Sequence, residues 1–212
     1  MELKITILVD NKNSWMIDYS QDLLNAISSK GHLCNLIHEQ SEVKKGDVLI
    51  LLSCNNIFKS LSLNVFNLVV HESDLPEGRG MSPLTWQILE GKSVIPVTLL
   101  EATKELDAGK VYGKINLKLN GSELIDELRE LQYNATKNLI LSFLDNYPNN
   151  QSVSQSGVPT YYRSRNINDS KLNLSKSIEE QFNLFRISDN LRYPAWFEKN
   201  GFKYKLEIKK IN

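Results

Sequence analysis

The chain has 212 residues, enough for one α/β domain with its own core plus a small appendage, and too few for two full domains. Hydrophobic residues make up 41% and charged residues 24%, and 25 Lys and Arg balance 25 Asp and Glu to a formal net charge of zero. A protein that grips a polyanion through its phosphates is normally basic, so this balance argues against DNA or tRNA as the main partner. Cys34 and Cys54 make neither a disulfide framework nor a zinc motif and read as two buried thiols in a reducing compartment. The N-terminus lacks the apolar run and cleavage site of a signal peptide, and the longest unbroken apolar run is only Val48–Leu52. A cytoplasmic protein without a membrane partner is expected.

Strand and helix signals alternate in the first half. Ile5–Val9 is a short run rich in β-branched residues, the mark of a buried strand. Trp15, Tyr19, Leu23 and Ile27 recur at helical spacing, and Gly31 follows as a C-cap. Further strands are predicted at Leu33–Ile37, Val48–Leu52 and Asn67–His71. Pro83 opens a helix carrying Leu84, Ile88 and Leu89 that stops at Gly91, and Val94–Leu100 is the next strand. The rhythm predicts an α/β fold with a doubly wound, mainly parallel sheet, whose ligands bind beyond the carboxyl ends of the strands.

Val111–Leu117 alternates as an added strand, antiparallel in one reading. Gly121-Ser122 then opens a long helix, with Ser122 as N-cap and Leu124, Leu128, Leu131, Ala135, Leu139 and Phe143 as its apolar stripe. Residues 146–157 are uncharged and rich in Asn, Gln and Ser, so they read as a linker or exposed loop between a core over 1–145 and a C-terminal extension over 158–212 packed on it. In the extension, Ser177 and Glu180 form a capping box for a helix with Ile178, Phe182 and Phe185 on one face. Asn200-Gly201 fits a hairpin turn, followed by the alternating Phe202, Tyr204, Leu206 and Ile208. That edge strand makes a homodimer conceivable. From Val158 onward, 11 Lys and Arg against 6 Asp and Glu leave a local charge of +5.

The densest polar stretch is His71-Glu72-Ser73-Asp74-Leu75-Pro76-Glu77-Gly78-Arg79-Gly80-Met81-Ser82-Pro83, which joins a strand end to a helix start. His71 therefore sits on the ligand face, either as a catalytic group or as a histidine bonded to the loop it borders. His32 reads as a helix C-terminal capping residue. Asp107, before Ala108-Gly109, follows another strand and has the setting of a turn carboxylate held close to backbone. Gly78-x-Gly80 is not a dinucleotide fingerprint, because it follows a loop and lacks the third glycine. No Walker loop, GxSxG, HExxH or CxxC is present in the sequence, which speaks against P-loop, serine-hydrolase and metalloprotease chemistry.

Together these segments resemble the formyltransferases that use 10-formyltetrahydrofolate. The carriers are the His71-x-Ser73-x-Leu75-Pro76-x-x-x-Gly80 loop, Trp86, Glu90-Gly91, Val97-Thr98-Leu99 and Asp107-Ala108-Gly109. The resemblance is strongest over residues 47–146 and nearest to the short sugar N-formyltransferases that act on a nucleotide-linked 4-amino-4,6-dideoxy sugar. It implies a Rossmann-like core, 10-formyltetrahydrofolate as formyl donor, no metal, a nucleotide-sugar partner and no nucleic acid. It implies His71 as donor to the developing oxyanion and Asp107 as the carboxylate that holds a water or the imidazole and helps take the amine's proton. The family's usual Asn two residues before the histidine is replaced by Val69. Asn55 is the first substitute and Asn67 the second. The implied folate-binding residues are Ser53, Cys54, Ile57, Ala102, Thr103 and Leu106. The implied acceptor-binding residues are Ser73, Gly78, Arg79 and Gly80, with Tyr161, Tyr162, Arg163, Arg165, Arg186 and Trp196 in the tail. The alternatives are formylation of methionyl-tRNA or another amine, or a folate-binding homologue with little activity.

Overall fold

A computed structural model describes residues 1–211. The elements run β1 (Lys4–Leu8), α1 (Met16–Ser29), β2 (Leu33–Ile37), β3 (Gly46–Leu51), β4 (Asn64–His71), β5 (Arg79–Gly80), α2 (Pro83–Leu89), β6 (Val94–Glu101), β7 (Val111–Lys118), α3 (Ile125–Asp145), β8 (Tyr161–Tyr162), α4 (Phe182–Arg186), β9 (Ala195–Lys199) and β10 (Phe202–Leu206). Six strands form one sheet in the order β2-β1-β3-β4-β6-β7. β2, β1, β3 and β4 pair in parallel, as their continuous apolar runs require.

The reversed strand is β6, which lies antiparallel to both β4 and β7. The sequence placed any antiparallel pairing at β7. The physical reason lies in α2. Its seven residues span only about 10 Å at 1.5 Å per residue, so it cannot carry the chain back along the eight-residue β4. The chain re-enters the sheet where it left, and β6 runs the opposite way.

Strand alternation divides the core. Ile5, Ile7, Val48, Ile50 and Leu68 face α1, α2 and α3, where they meet Leu23, Ile27, Ile88, Leu128 and Ile140. Leu8, Leu49 and Leu51 point to the other face, which Val43 and Phe58 cover from turns and loops. The three longer helices thus share one face, and the opposite face is left for a loop-built wall.

Ser122 is not the N-cap of α3. Glu123 accepts from the backbone N–H groups of Asn120 and Gly121, and the helix begins after Leu124, whose N–H donates to Glu127. Glu123 turns inward because Arg186 reaches it at 2.9 Å, and both side chains are buried. The Ser177–Glu180 box forms, with N–H to carboxylate at 2.7 Å and N–H to hydroxyl at 3.1 Å, but Ile178 is exposed and does not share the buried face of Phe185. β9 and β10 pair as the hairpin expected around Asn200-Gly201.

Residues 146–157 run as irregular chain held at two points. Val153 exchanges backbone hydrogen bonds with Val111, and Gln155 donates to the carbonyls of Asp107 and Gly109. The extension is strapped to the core where β5 pairs with β8. Trp86 Nε1 donates to the Arg163 carbonyl, and the Arg163 guanidinium lies over the same ring. Among the described residues no helix is long and apolar enough to cross a membrane.

Candidate active site

The carboxyl ends of β1, β3 and β4 open into a cleft of about 410 Å³, within the ordinary size of a small-molecule site. It straddles the sheet edge. On the loop side lie residues 51–58 and 100–107, and on the helix side lie α3 and part of the extension. His71 closes β4 at this edge.

Two contacts fix the imidazole. Nε2 is 2.7 Å from the Gly78 carbonyl, which can only accept, so Nε2 carries a proton. Nδ1 faces Asp107 Oδ2 at 3.6 Å, too long for a direct hydrogen bond and short enough for charge attraction. Both side chains are buried, and both residues line the cleft.

The Asp107 carboxylate is itself positioned. Its Oδ2 accepts from the Gly80 N–H at 2.9 Å, while its own carbonyl accepts from Gln155. The residue adopts φ 51°, a left-handed conformation that Asp tolerates better than most side chains. Arg79 braces the same loop, donating to Glu105 at 2.8 Å and to Gln155 at 2.7 Å. Gly109 is required where the chain turns back, because a Cβ there would stand 1.8 Å from the Glu101 carbonyl oxygen.

Of the residues singled out in the sequence, His71, Asp107, Asn55, Ser53, Cys54, Ile57, Ala102, Thr103, Leu106, Gly80 and Arg165 line the cleft. The others stand elsewhere. Ser73 is buried, and its carbonyl accepts from Thr98. Gly78 reaches the site only through its carbonyl, on His71. Arg79 is the loop brace. Tyr162 donates to Glu90, Arg163 pairs with Asp169, Arg186 is locked to Glu123, and Trp196 donates to the Ile167 carbonyl. The exposed Tyr161 does not line the cleft either. The sequence could not separate these roles, because an Arg or Tyr in a basic tail suits a ligand and an internal partner equally.

Val69 lies on the cleft wall, two residues before His71 and on the same strand face, so no amide occupies that position. Asn67, on that face four residues back, turns away: its amide donates to the Leu61 carbonyl. Asn55 is exposed at the cleft, with its backbone N–H on Asp10. Burial pushes the Cys34 and Cys54 thiols up to about 12, which keeps them as unreactive thiols.

Several cleft residues were missed. Glu72 is buried beside His71, and its carboxylate accepts from Gln132 at 2.7 Å. Burial raises its pKa above the usual carboxylate range, with the Gln132 hydrogen bond and the nearby imidazole opposing. Ile125, Arg129, Gln132 and Thr136 on α3 also line the cleft, as do Trp15, Asp189, Arg192 and Tyr193. The α3 set had a readable signal: a second stripe at helical spacing beside the apolar one.

Set against known proteins, this architecture is the formyltransferase fold, and the resemblance carried by the His71 and Asp107 segments holds. No family model matches the chain. Methionyl-tRNA formyltransferase of Thermosipho africanus is 30% identical over 146 residues, covering 68% of this chain and 48% of the relative. The chain spans about half the length of the curated relatives it matches. Among solved structures, HypX from Aquifex aeolicus in complex with tetrahydrofolic acid superposes with a TM-score of 0.83 at 19% identity, over 98% of this chain and 38% of that one. A sugar N-formyltransferase from Shewanella superposes with a TM-score of 0.70 at 17% identity, over 99% of both chains.

Proposed function

We propose that the protein transfers a formyl group from 10-formyltetrahydrofolate to a primary amine. One observation carries this reading: the His71 imidazole and the Asp107 carboxylate face each other at 3.6 Å on the wall of a cleft at the ends of parallel strands. The loop side suits the donor. Ile57 and Leu106 are exposed at its mouth, next to Val69, Leu100 and the loops 53–57 and 102–106, an apolar slot for a flat heterocycle.

The donor supplies a carbonyl carbon at the amide level, electrophilic without a metal. Nε2–H of His71 is taken by the Gly78 carbonyl, so the donor to the oxygen that becomes negative as the amine attacks is Nδ1–H of the imidazolium, which Asp107 faces at 3.6 Å without binding it directly. Preorganised donation of this kind is worth about 3 kcal/mol per donor. Asp107 Oδ2 accepts the proton that the amine must lose, directly or through one water, and returns it to the folate N10 as the tetrahedral intermediate collapses and the C–N10 bond breaks, while the Gly80 N–H keeps the carboxylate from turning away. Asn55 is the amide nearest in role to the one that Val69 replaces.

For the acceptor, we infer a nucleotide-linked amino sugar. Zero net charge fits a small anionic substrate better than a tRNA, the loop from His71 to Pro83 resembles that of the short sugar enzymes, and a sugar N-formyltransferase from Shewanella shares the fold over 99% of both chains. The second reading, methionyl-tRNA, is favoured by the curated relatives. The test incubates purified protein with 10-formyltetrahydrofolate and either UDP-4-amino-4,6-dideoxy sugars or methionyl-tRNA, and follows the acceptor by mass spectrometry. Formylated sugar is the expected product. Formylated methionyl-tRNA alone moves the assignment to the second reading, and no product with either acceptor ends the transferase reading for both.

A further inference from the structure

The helix side of the cleft holds three guanidiniums. Arg129 comes from α3, Arg165 follows β8 and Arg192 precedes β9, and all three line the cleft. Asp189 gathers two of them, accepting from Arg129 Nη2 at 2.5 Å and from Arg192 Nε at 3.3 Å, while the N–H groups of Leu191 and Arg192 complete its shell. Burial pushes the Asp189 carboxyl up, but the Arg129 bond and these N–H groups overcome that and hold it at about 2. It stays charged and cancels one of the three cations.

The other acidic groups nearby leave the excess in place. Asp126 is exposed and meets Arg129 Nη1 only at 3.6 Å, Asp169 is paired with Arg163, and Glu72 is bonded to Gln132. Arg165 is the strongest sign of a missing partner. It is 9% exposed, its two Nη groups donate to the Ile187 carbonyl and the Ser170 hydroxyl, and its Nε is buried without any partner. An unsatisfied buried donor on a cation costs more than on a neutral group. Aromatic faces back two of the guanidiniums, Trp15 under Arg129 at 5.5 Å and Tyr193 under Arg165 at 4.8 Å, which fixes their planes beside the cleft.

We propose that Arg129, Arg165 and Arg192 form a phosphate subsite that binds the phosphate or diphosphate of the acceptor. This rests on the formyl-transfer reading only in giving that anion to the acceptor. Planar forks match phosphate oxygens in pairs, and two surplus positive charges suit a diphosphate. The three arginines and His71 line the same cleft, so a diphosphate bound on the arginines leaves the attached sugar to extend toward the imidazole.

The test titrates the full chain separately with UDP, inorganic pyrophosphate and 5-formyltetrahydrofolate, read by calorimetry. UDP is expected to bind. Arg192→Gln, which loses only its Asp189 contact, and Arg129→Gln are each expected to weaken UDP about tenfold and leave the folate unchanged. Melting temperature serves as the control for folding, because Arg165 also holds the extension together. If UDP and pyrophosphate do not bind the wild type while the folate does, the proposal is overturned. It is equally overturned if the variants weaken the folate and spare UDP, since the arginines then serve the folate's glutamyl carboxylates. Arginine-dependent UDP binding without folate binding keeps the subsite and removes the formyl-transfer reading instead.

Discussion

Gly80→Ala tests how the strap between β5 and β8 builds the site. Gly80 has φ +104°, and a Cβ there would stand 2.3 Å from the Tyr162 carbonyl oxygen. That oxygen is backbone and cannot rotate away, so β8 must move. The hydrogen bonds Arg79 N–H to Thr160 and Met81 N–H to Tyr162 then break, at about 1 kcal/mol each. The positive φ costs an alanine about 1–2 kcal/mol more. Loss of the Gly80 N–H bond to the Asp107 carboxylate adds about 1.5–3 kcal/mol, and reduced unfolded-state entropy returns about 0.4–1 kcal/mol. A net loss of about 5 kcal/mol is expected, a large share of a stability of about 5–15 kcal/mol. In urea unfolding followed by circular dichroism, with a slope of about 2 kcal/mol/M, the midpoint should fall by about 2.5 M. Gly91→Ala is the control: its φ is +82°, but nothing lies within 4 Å of the added methyl, so only the backbone strain is felt. If Gly80→Ala loses no more than Gly91→Ala, close approach to Tyr162 is not what the glycine provides.

His71→Ala should cut formyl transfer by at least a hundredfold in protein that still folds, as circular dichroism checks; turnover at the wild-type rate would remove the imidazole from the mechanism. Asp107→Asn keeps an oxygen for the Gly80 N–H, so the fold should hold while turnover drops about 10²–10⁴-fold, measured at saturating donor and acceptor. Glu72→Gln carries a pH signature. Because burial raises the folded pKa of Glu72, wild-type stability from this group is full below the unfolded carboxylate pKa and declines as pH rises toward the folded value. The variant should therefore be more stable than the wild type at pH 7, with the gap closing below about pH 4; a gap that is constant with pH contradicts the assignment. Glu123→Ala strands Arg186 as a buried, unpaired charge and should cost about 3–5 kcal/mol in thermal unfolding, where a loss under 1 kcal/mol would mean water reaches the pair.

The strands of the parallel half, the start and stop of α2, the Ser177–Glu180 box and the terminal hairpin were all legible along the chain. Each follows from apolar period, turn residues or cap spacing, which are local properties. So was the pairing of His71 with Asp107, though only through the resemblance: nothing in the 35 residues between them says that the second loop folds back over the first. Arg79 and Arg163 read as ligand contacts because a charged side chain announces its charge and not its partner. Glu105 and Gln155 hold the one, Asp169 and the Trp86 face the other.

By itself, then, the sequence determined where the chain could bury apolar surface in a strand or helix and where it had to turn, since those choices depend on neighbours a few positions away. Only the tertiary structure decided the direction of β6, the inward turn of Glu123 and the meeting of Arg129, Arg165 and Arg192 at one end of the cleft. Each of these is set by contacts between segments distant in the chain, whose geometry follows from the packing of the whole sheet and is written in no single stretch of residues.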